Sequence, residues 1–278
     1  MNTTKIANKY SILEKIGQGN FGTVYKGTYD KTSETVAIKI EDMRTSYNIL
    51  KHETTILKYL RDHGCRCVPD IHWFGVDTNF QILVMTYYEC SLQDYLNREI
   101  FTQNIDSNTE NNILKKCNSI MVGCLRIIES VHTQYIIHRD IKPQNFMMRG
   151  RELYIIDFGL STFYINENRE HIENIGSHEI TGNPKYMSFC IHEGESPSRR
   201  DDLISLGYIY LYMVSGGKLP WDQLNGDDID IQRKEQKSLN VLDEHLIMCE
   251  NLRKYLHYCY LLEFDQLPFY EGLTHLFS

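Results

Sequence analysis

The period of the apolar pattern changes close to residue 88 of this chain. Before that point the apolar residues alternate or are β-branched over short stretches, which predicts strands. One helical pattern interrupts them, with apolar residues recurring from Ile49 to Leu60. We place the strands at residues 10–16, 23–29, 35–40, 70–76 and 80–86.

After residue 88 the pattern becomes helical. Residues 113–132 carry one apolar stripe, and residues 202–215 are strongly apolar, which indicates a buried helix. The polar, Asn-rich residues 98–112 are predicted to form a surface loop between helices. We therefore expect the α+β class, with a small β-rich lobe containing one main helix and a larger, mainly helical lobe.

Composition excludes some classes of function. The 29 basic and 37 acidic residues give a net charge of −8, whereas binding to a nucleic-acid backbone needs a basic surface, so we expect no nucleic-acid partner. No apolar run approaches the roughly 20 residues of a membrane span. Since residues 1–9 are also polar, we expect no membrane partner and an intracellular location, cytoplasmic or nuclear.

The 8 cysteines contain no C-x-x-C pair. The two nearest in sequence, Cys65 and Cys67, have no further ligand at the spacing of a zinc site. We interpret the cysteines as reduced, mostly buried thiols, with a metal or redox role as the alternative. We further expect the chain to act as a monomer.

Three glycines, Gly17, Gly19 and Gly22, form a G-x-G-x-x-G pattern. Because glycine has no Cβ, the backbone N–H groups of such a loop can approach phosphate oxygens closely. The pattern alone is weak, since dinucleotide-binding proteins share it and a plain glycine-rich hairpin has the same composition. In dinucleotide sites the glycines open a helix, whereas the Thr-Val-Tyr-Lys that follows Gly22 favours a strand.

A lysine and a glutamate follow the glycines. Lys39 ends the apolar run Val36-Ala37-Ile38, and Glu53 lies in the predicted helix. An ammonium on a buried strand suits neutralisation of α- and β-phosphates, and it needs an anionic partner. Taken singly, Lys39 fits a surface lysine and Glu53 a solvated helix residue. Their joint order after the glycines favours a paired, phosphate-binding role.

Two further motifs stand in the second half of the chain, H-R-D-I-K-P-Q-N over residues 138–145 and D-F-G over residues 157–159. Together they resemble the protein kinases, and the match is highly specific. The resemblance implies a bilobal protein kinase fold in a single domain, residues 1–278, that transfers the γ-phosphoryl group of ATP to proteins. The expected divisions are an N-lobe at about 9–86, a hinge at about 86–89 and a C-lobe at about 90–277.

The same resemblance implies the roles of four residues. Asp140 is expected to orient the substrate hydroxyl as catalytic base, and Lys142 to stabilise the γ-phosphate. Asn145 and Asp157 supply hard oxygen ligands, so we expect them to hold Mg²⁺ on the phosphates. Lys142 also resembles the serine/threonine kinases, because tyrosine kinases usually carry alanine or arginine in this stretch.

Downstream residues narrow the resemblance. The Ala-Pro-Glu that ends the activation segment of many kinases is absent, and residues 186–190 read Y-M-S-F-C in its place. S-R-R-D-D-L-I-S-L-G-Y then follows over 198–208, and L-P-W over 219–221. This run is similar to the casein kinase 1 family, of which the chain resembles a divergent member. The resemblance implies that Asp202 anchors the backbone of the catalytic loop.

The resemblance also implies an ATP pocket. Met85 is expected at the gatekeeper position, and the backbone from Thr86 to Tyr88 is expected to bind adenine. Ordinary core packing is the alternative for the apolar members of the pocket. The residues expected to contact ATP or its phosphates are Ile16, Gly17, Gly19, Gly22, Val24, Ala37, Lys39, Glu53, Met85, Thr86, Tyr88 and Asp157.

The expected partners are proteins with serine or threonine acceptors. Members of the resembled family recognise acidic or phosphorylated residues near the acceptor through two basic clusters. Here Lys185 keeps the character of the first cluster, and we assign it as a substrate anion site. Acidic residues over 225–232 replace the second, with Arg233 and Lys234 only at its end. Because each carboxylate repels an anion, a preference for acidic or phosphorylated substrates should be weakened.

Two alternatives from other functional classes remain open. A catalytically silent kinase fold can act as a scaffold, but such proteins typically lose the strand lysine or a catalytic aspartate, and this chain retains both. A small-molecule phosphotransferase could share the two aspartates, but not the run from Gly182 to Tyr208. For His138 we favour a structural role over proton transfer, and Arg139 fits either an anion partner or a surface salt bridge.

Overall fold

The computed structural model describes residues 5–19, 22–44, 48–102, 107–176, 182–224, 228–246 and 249–278, without the side chains of residues 107–109. The chain divides into two compact units. The first comprises Met1–Glu89 with Met147–Leu160, and the second comprises Cys90–Phe146 with Ser161–Ser278. Strands dominate the first unit and helices the second, so the predicted α+β class is confirmed.

The first unit is built on an antiparallel sheet in the order β1-β2-β3-β4-β6-β5. Its strands are β1 (Lys5–Ile6), β2 (Tyr10–Gly19), β3 (Gly22–Tyr29), β4 (Glu34–Asp42), β5 (Ile71–Asp77) and β6 (Phe80–Thr86). Helix α1 (Ile49–Asp62) lies between β4 and β5 in the sequence. The five strands and the helix predicted for this part of the chain are all present. Strand β2 is longer than predicted because Gly17 and Gly19 pair with β3.

Alternation along β4 directs its side chains to opposite faces of the sheet. Val36 and Ile38 enter an apolar core on one face. That core is completed by Ile6, Tyr10, Ile82 and Val84. Because successive side chains of a strand alternate, Ala37 and Lys39 point to the other face. Helix α1 packs against β5 and β6 and places Glu53 within reach of Lys39.

The second unit is mainly helical. Its helices are α2 (Leu92–Glu99), α3 (Ser107–His132), α4 (Phe189–His192), α5 (Arg199–Val214), α6 (Ile229–Gln236), α7 (Leu239–Leu246), α8 (Glu250–Leu261) and α9 (Tyr270–His275). Helix α5 is buried from Arg199 to Met213 and packs against α3 and α8, which confirms the buried helix predicted there. A helix apolar on all sides is expected at the centre of a domain.

Short strands frame the segments that carry the two motifs. Strand β7 covers Cys90–Ser91, and β8 (Ile136–Ile137) pairs antiparallel with β11 (Thr162–Phe163). The strands β9 (Phe146–Arg149) and β10 (Glu152–Ile155) are neighbours in a second small sheet. The H-R-D motif therefore follows β8 directly, and the D-F-G motif follows β10.

The surface loop predicted over residues 98–112 is wrong at both ends. Helix α2 continues to Glu99, and α3 begins at Ser107, so much of the Asn-rich segment is helical. The side chains of residues 110–112 are exposed, and a solvent-facing first turn needs no apolar residues. The polar composition therefore gave no indication of the first turn of α3, because the apolar stripe of this helix begins further along. Residues 103–106 lie outside the described residues.

Among the described residues, no helix combines the length and the apolar character that crossing a membrane would require.

Candidate active site

Three charged side chains meet in the first unit. The Nζ atom of Lys39 lies 2.7 Å from Oε2 of Glu53 and 2.8 Å from Oδ1 of Asp157. Lys39 projects from β4, Glu53 from α1, and Asp157 from the segment after β10. Lys39 is 7% exposed and Glu53 is 0% exposed, whereas the Asp157 side chain is 25% exposed. The pairing of Lys39 with Glu53 that the sequence predicted is present.

Burial and charge act in opposite directions on this cluster. Burial lowers the pKa of Lys39, but the carboxylates of Glu53 and Asp157 raise it by more, so the ammonium stays charged. Burial raises the pKa of Glu53, and Lys39 is the main group that opposes this. The second carboxylate oxygen of Glu53 is buried with no hydrogen-bond partner among the described residues. An ionised Glu53 therefore depends mainly on Lys39, with a smaller contribution from the backbone at Phe158.

The backbone at Asp157 is held in an unusual conformation. Its φ is 69°, in the left-handed region that few non-glycine residues adopt. A 3-10 turn at Phe158–Leu160 follows, in which the Phe158 side chain is fully buried, and α1 packs against this turn. Strain of this kind persists where the surroundings over-determine it, commonly at functional sites. Helix α1 thus carries Glu53 and packs against the turn that directly follows Asp157.

The glycine-rich segment forms the hairpin between β2 and β3. Gly17 pairs with Val24, and Gly19 pairs with Gly22, where β3 begins one residue before the predicted start. Asn20 and Phe21, at the tip of the motif, lie outside the described residues. At Gly22 φ is 126°, and a Cβ would lie only 2.3 Å from the carbonyl oxygen of Ile40, so no other residue fits there. Beside Gly19, by contrast, the space is open.

The apolar residues expected to contact adenine lie in neighbouring strands of the same sheet. Ala37 stands opposite Met85 in the register of β4 and β6, and both are 6% exposed. Val24 stands opposite Lys39 on β3 and β4, so these two side chains share a face. Ile16 is 46% exposed at an irregularity of β2. Core packing accounts for Ala37 and Met85 equally well, but it does not explain Ile16.

Two polar groups of the expected hinge are already in use. The N–H of Thr86 donates to the carbonyl of Asp70, and the Thr86 hydroxyl accepts from the N–H of Asp70, both at 3.0 Å. The Tyr88 side chain is buried against the ring of Tyr154, with the ring centroids 4.8 Å apart. The N–H and the hydroxyl of Thr86 are therefore engaged within the first unit, and the ring of Tyr88 is packed within it.

In the second unit, three residues of the H-R-D motif form a compact polar cluster. Nζ of Lys142 lies 2.5 Å from Oδ2 of Asp140. Nδ2 of Asn145 donates to the carbonyl of Asp140 at 2.8 Å and to its Oδ2 at 3.1 Å. A 3-10 turn at Pro143–Asn145 brings the amide back to the aspartate. Asp140 and Asn145 are nearly buried, so their side chains are held in one orientation.

The backbone of this loop is anchored by Asp202 at the start of α5. Its carboxylate accepts hydrogen bonds from the N–H groups of His138 at 2.7 Å and Arg139 at 2.9 Å, which confirms the predicted anchor. Burial opposes ionisation of Asp202, but His132 and the backbone donor at His138 outweigh it, and the pKa lies below its ordinary value. His138 is fully buried, in keeping with a structural role.

Lys185, the expected anion site, has a partner of its own. Its Nζ lies 2.8 Å from Oδ2 of Asp222 and 4.6 Å from the centre of the Tyr212 ring. Both members of the ion pair are about one-third exposed or less. Oδ2 of Asp222 also accepts the N–H of Leu219, which fixes the carboxylate. The cation is thus neutralised by a residue within the same unit.

The basic residues at the end of the acidic stretch are paired in the same way. Nη1 of Arg233 lies 2.8 Å from Asp230, and Nζ of Lys234 lies 2.7 Å from Glu193. Residues 229–236 form α6, whereas residues 225–227 of the acidic stretch lie outside the described residues. Neither cation is therefore available to an anion without competition from a carboxylate.

Lys237 supports this region, and the sequence analysis missed it. It is fully buried, and its Nζ donates to the carbonyls of Pro184 at 2.8 Å and Met187 at 2.7 Å. Burial lowers its pKa, while the two carbonyls and the rings of Tyr208 and Trp221 stabilise the cation. A lysine in a polar stretch has no distinguishing pattern, so only the fold identifies it.

Two residues, Asn145 in the second unit and Asp157 in the first, each carry an oxygen atom of the kind that Mg²⁺ binds. The hydrogen bonds of the Asn145 amide to Asp140 use its nitrogen, which leaves the carbonyl oxygen as the atom suited to a cation. One carboxylate oxygen of Asp157 accepts a hydrogen bond from Lys39, and the side chain remains 25% exposed. Magnesium is commonly held by one or two such oxygen ligands together with substrate phosphates.

A comparison with protein families finds one matching family model, described as a protein kinase domain, over residues 10–257. The matched range runs from the start of β2 to His257 in α8, and it includes every residue of the candidate site described above. It agrees with a sheet-rich unit followed by a helical one.

Proposed function

The chain belongs to the protein kinase family, and from that premise we propose that it is a serine/threonine kinase of the casein kinase 1 type. It phosphorylates hydroxyl groups of proteins with ATP and Mg²⁺. The observation that carries this proposal is the intact set of charged groups. Lys39 forms ion pairs with both Glu53 and Asp157. Asp140 is hydrogen-bonded to both Lys142 and Asn145.

The first group binds the nucleotide phosphates. The Lys39 ammonium is desolvated and held by two carboxylates, so its position is fixed before ATP arrives. Preorganised charge of this kind needs no rearrangement when negative charge develops on the transferred group. Asp157 and Asn145 are the residues that would hold Mg²⁺, and the ion would neutralise charge on the phosphates. We expect the backbone N–H groups of the glycine-rich motif to bind the same phosphates.

The second group prepares the acceptor. Asp140 orients the substrate hydroxyl and accepts its proton as the new oxygen–phosphorus bond forms, while the bond from the γ-phosphorus to the bridging oxygen breaks and ADP leaves. Nδ2 of Asn145 and Nζ of Lys142 both donate to Oδ2 of Asp140, so the carboxylate is held by two hydrogen bonds. Lys142 is 22% exposed at its side chain, so it can also reach the γ-phosphate. The two anchors from Asp202 keep this loop in place during transfer.

Serine/threonine specificity rests on Lys142 and on the resemblance of residues 186–208 and 219–221 to casein kinase 1. We expect purified protein with labelled ATP, Mg²⁺ and dephosphorylated casein to yield phosphoserine or phosphothreonine after acid hydrolysis. A mixed polymer of glutamate and tyrosine should remain unlabelled under the same conditions. Phosphotyrosine as the main product would overturn the serine/threonine assignment and leave the kinase assignment intact.

A catalytically silent scaffold is the rival function. It requires no particular geometry at Lys39 or Asp140, and relaxed contacts there would be tolerated. The contacts observed are short, and they link residues far apart in the sequence, such as Lys39 with Asp157. Because maintaining a buried lysine between two carboxylates is costly unless it functions, we favour the enzyme.

For substrate choice we infer that Asp222 suppresses recognition of acidic or phosphorylated residues. Its carboxylate forms an ion pair with Lys185, the cation that would otherwise bind such a group. In Asp222→Asn the side-chain oxygen can still accept the Leu219 N–H, but the negative charge is gone. Freeing one partly exposed cation is worth about 1 kcal/mol, so kcat/KM for an acidic peptide should rise about fivefold relative to a neutral one.

The control for this comparison is Glu271→Gln. It removes an equal charge from an exposed residue of α9 and leaves Lys185, Arg233 and Lys234 with their carboxylate partners. We expect it to change the ratio of acidic to neutral peptide by less than twofold. An equal rise in both variants would show that total charge, and not the pairing of Lys185, sets the preference.

A further inference from the structure

Cys65 and Cys67 bring two sulfur atoms together in the first unit. Their Sγ atoms are 3.3 Å apart, in the segment between α1 and β5. Cys65 is 2% exposed, whereas Cys67 is partly exposed. One reachable thiol beside a second, sheltered thiol is the arrangement in which an oxidised cysteine is captured as a disulfide.

The backbone of this pair is tied to the candidate active site on both sides. The N–H of Cys65 donates to Leu60, and Gly64, with φ of 85°, donates to Arg61, so the chain closes the C-terminus of α1 in a Schellman motif. The carbonyl of Cys67 accepts the N–H of Ile155 at 2.8 Å. Helix α1 carries Glu53, and Ile155 stands two residues before Asp157.

We propose that Cys65 and Cys67 form a redox-active dithiol that a peroxide converts to a disulfide, with loss of kinase activity. The thiolate of Cys67 attacks one peroxide oxygen, the O–O bond breaks, and a sulfenic acid forms on Cys67 with release of hydroxide. The Cys65 thiol then attacks that sulfur, the S–O bond breaks, and water leaves. In total, two thiols and one hydrogen peroxide give one disulfide and two waters.

The disulfide changes the positions of groups that the proposed phosphotransfer needs. A sulfur–sulfur bond of about 2.05 Å requires the two Sγ atoms, now 3.3 Å apart, to approach by about 1.3 Å. The backbone of Cys65 is hydrogen-bonded to α1, and the backbone of Cys67 is hydrogen-bonded to β10. The approach of the two sulfur atoms therefore displaces one of these elements. Displacing a catalytic group by about 1 Å can cost up to about 100-fold in rate, and we expect about a tenfold loss here.

Reduction should restore activity. A disulfide between residues so close in sequence closes a small ring, and strained disulfides have more oxidising potentials than structural ones. Cytosolic reductants would therefore reopen it, as is typical of regulatory disulfides in reducing compartments.

The position of Arg66 makes the disulfide directly detectable. Trypsin cleaves after Arg61, Arg66 and Arg98, so Cys65 and Cys67 fall in separate peptides, 62–66 and 67–98. After peroxide treatment, alkylation and digestion under denaturing conditions, mass spectrometry should find these two peptides joined, and dithiothreitol should separate them. Because Cys90 lies in the second peptide, Cys90→Ser assigns the bond and serves as the matched control.

We expect wild type and Cys90→Ser to show the joined peptides and an activity loss of about tenfold that dithiothreitol reverses. Cys67→Ser, which keeps a small polar side chain, should show neither. Absence of the joined peptides in wild type would overturn the proposal, as would joined peptides with unchanged activity. An equal loss in Cys67→Ser would place the damage at another residue. Mass detection is independent of activity, so an inactive wild type would count against the proposed function and not against the dithiol.

Discussion

Replacing Asp157 with asparagine should lower kcat/KM for protein phosphorylation by about 10²–10³-fold, the usual effect of removing one electrostatic group of a transition state. The substitution removes the negative charge that the proposed Mg²⁺ site requires. The side-chain oxygen of the asparagine can still accept a hydrogen bond from Nζ of Lys39. In the wild type this Nζ lies 2.8 Å from Oδ1 of Asp157. Because the Asp157 side chain is partly exposed, little change in unfolding free energy should accompany the loss.

The control is Asp62→Asn, which removes the same charge from an exposed position at the end of α1. It should leave kcat/KM within about twofold of wild type, because surface substitutions away from special structural features usually have small effects. Activity of Asp157→Asn that matched the control would remove Asp157 from the mechanism, whatever the other residues do.

Lys39→Met should abolish activity and also destabilise the protein. Glu53 is 0% exposed and relies on the Lys39 ammonium. Removing one member of a buried ion pair typically costs about 3–5 kcal/mol, because the remaining charge is left without compensation. We expect a loss of unfolding free energy in that range at neutral pH and a loss of activity of at least about 10²-fold.

The pH dependence of this loss has a definite sign. Burial already raises the pKa of Glu53 above its ordinary value of 4.5, and removing Lys39 raises it further. The folded variant then binds a proton at pH values where the unfolded chain has released it. The stability that protonation gives is therefore present below pH 4.5 and lost as the pH rises toward the folded pKa. Denaturant unfolding should show Lys39→Met approaching wild-type stability in acid.

The double variant Lys39→Met/Glu53→Met separates stability from catalysis. Replacing both members of a buried pair with apolar residues is often neutral or stabilising, so most of the lost unfolding free energy should return. Activity should not return, since the group that binds phosphate is still missing. Recovery of activity in the double variant would mean that Lys39 serves the fold alone.

The strands and motifs were predictable because their determinants are local. Alternation in residues 35–40 places Lys39 on the face opposite Val36, and a single register connects it to β3 and β6. The helix at Ile49 was predictable from its apolar stripe, and that helix supplies Glu53. A resemblance in the motifs then related residues that are 118 positions apart, such as Lys39 and Asp157.

The features that could not be predicted depend on contacts between distant segments. Nothing in the sequence near Lys185 shows that Asp222, 37 residues later, pairs with it. The sequence around Lys237 does not indicate that this residue is buried, with its Nζ donating to the carbonyls of Pro184 and Met187. The start of α3 was missed for a different reason, since an exposed helical turn has the composition of a loop.

The central claim is that this chain transfers the terminal phosphoryl group of ATP to protein hydroxyls. Parallel incubations of purified protein and casein with Mg²⁺ and either γ-labelled or α-labelled ATP test it most directly. We predict label on casein from γ-labelled ATP only, and none when the metal is chelated. No transfer from γ-labelled ATP, or equal transfer from both nucleotides, would contradict it.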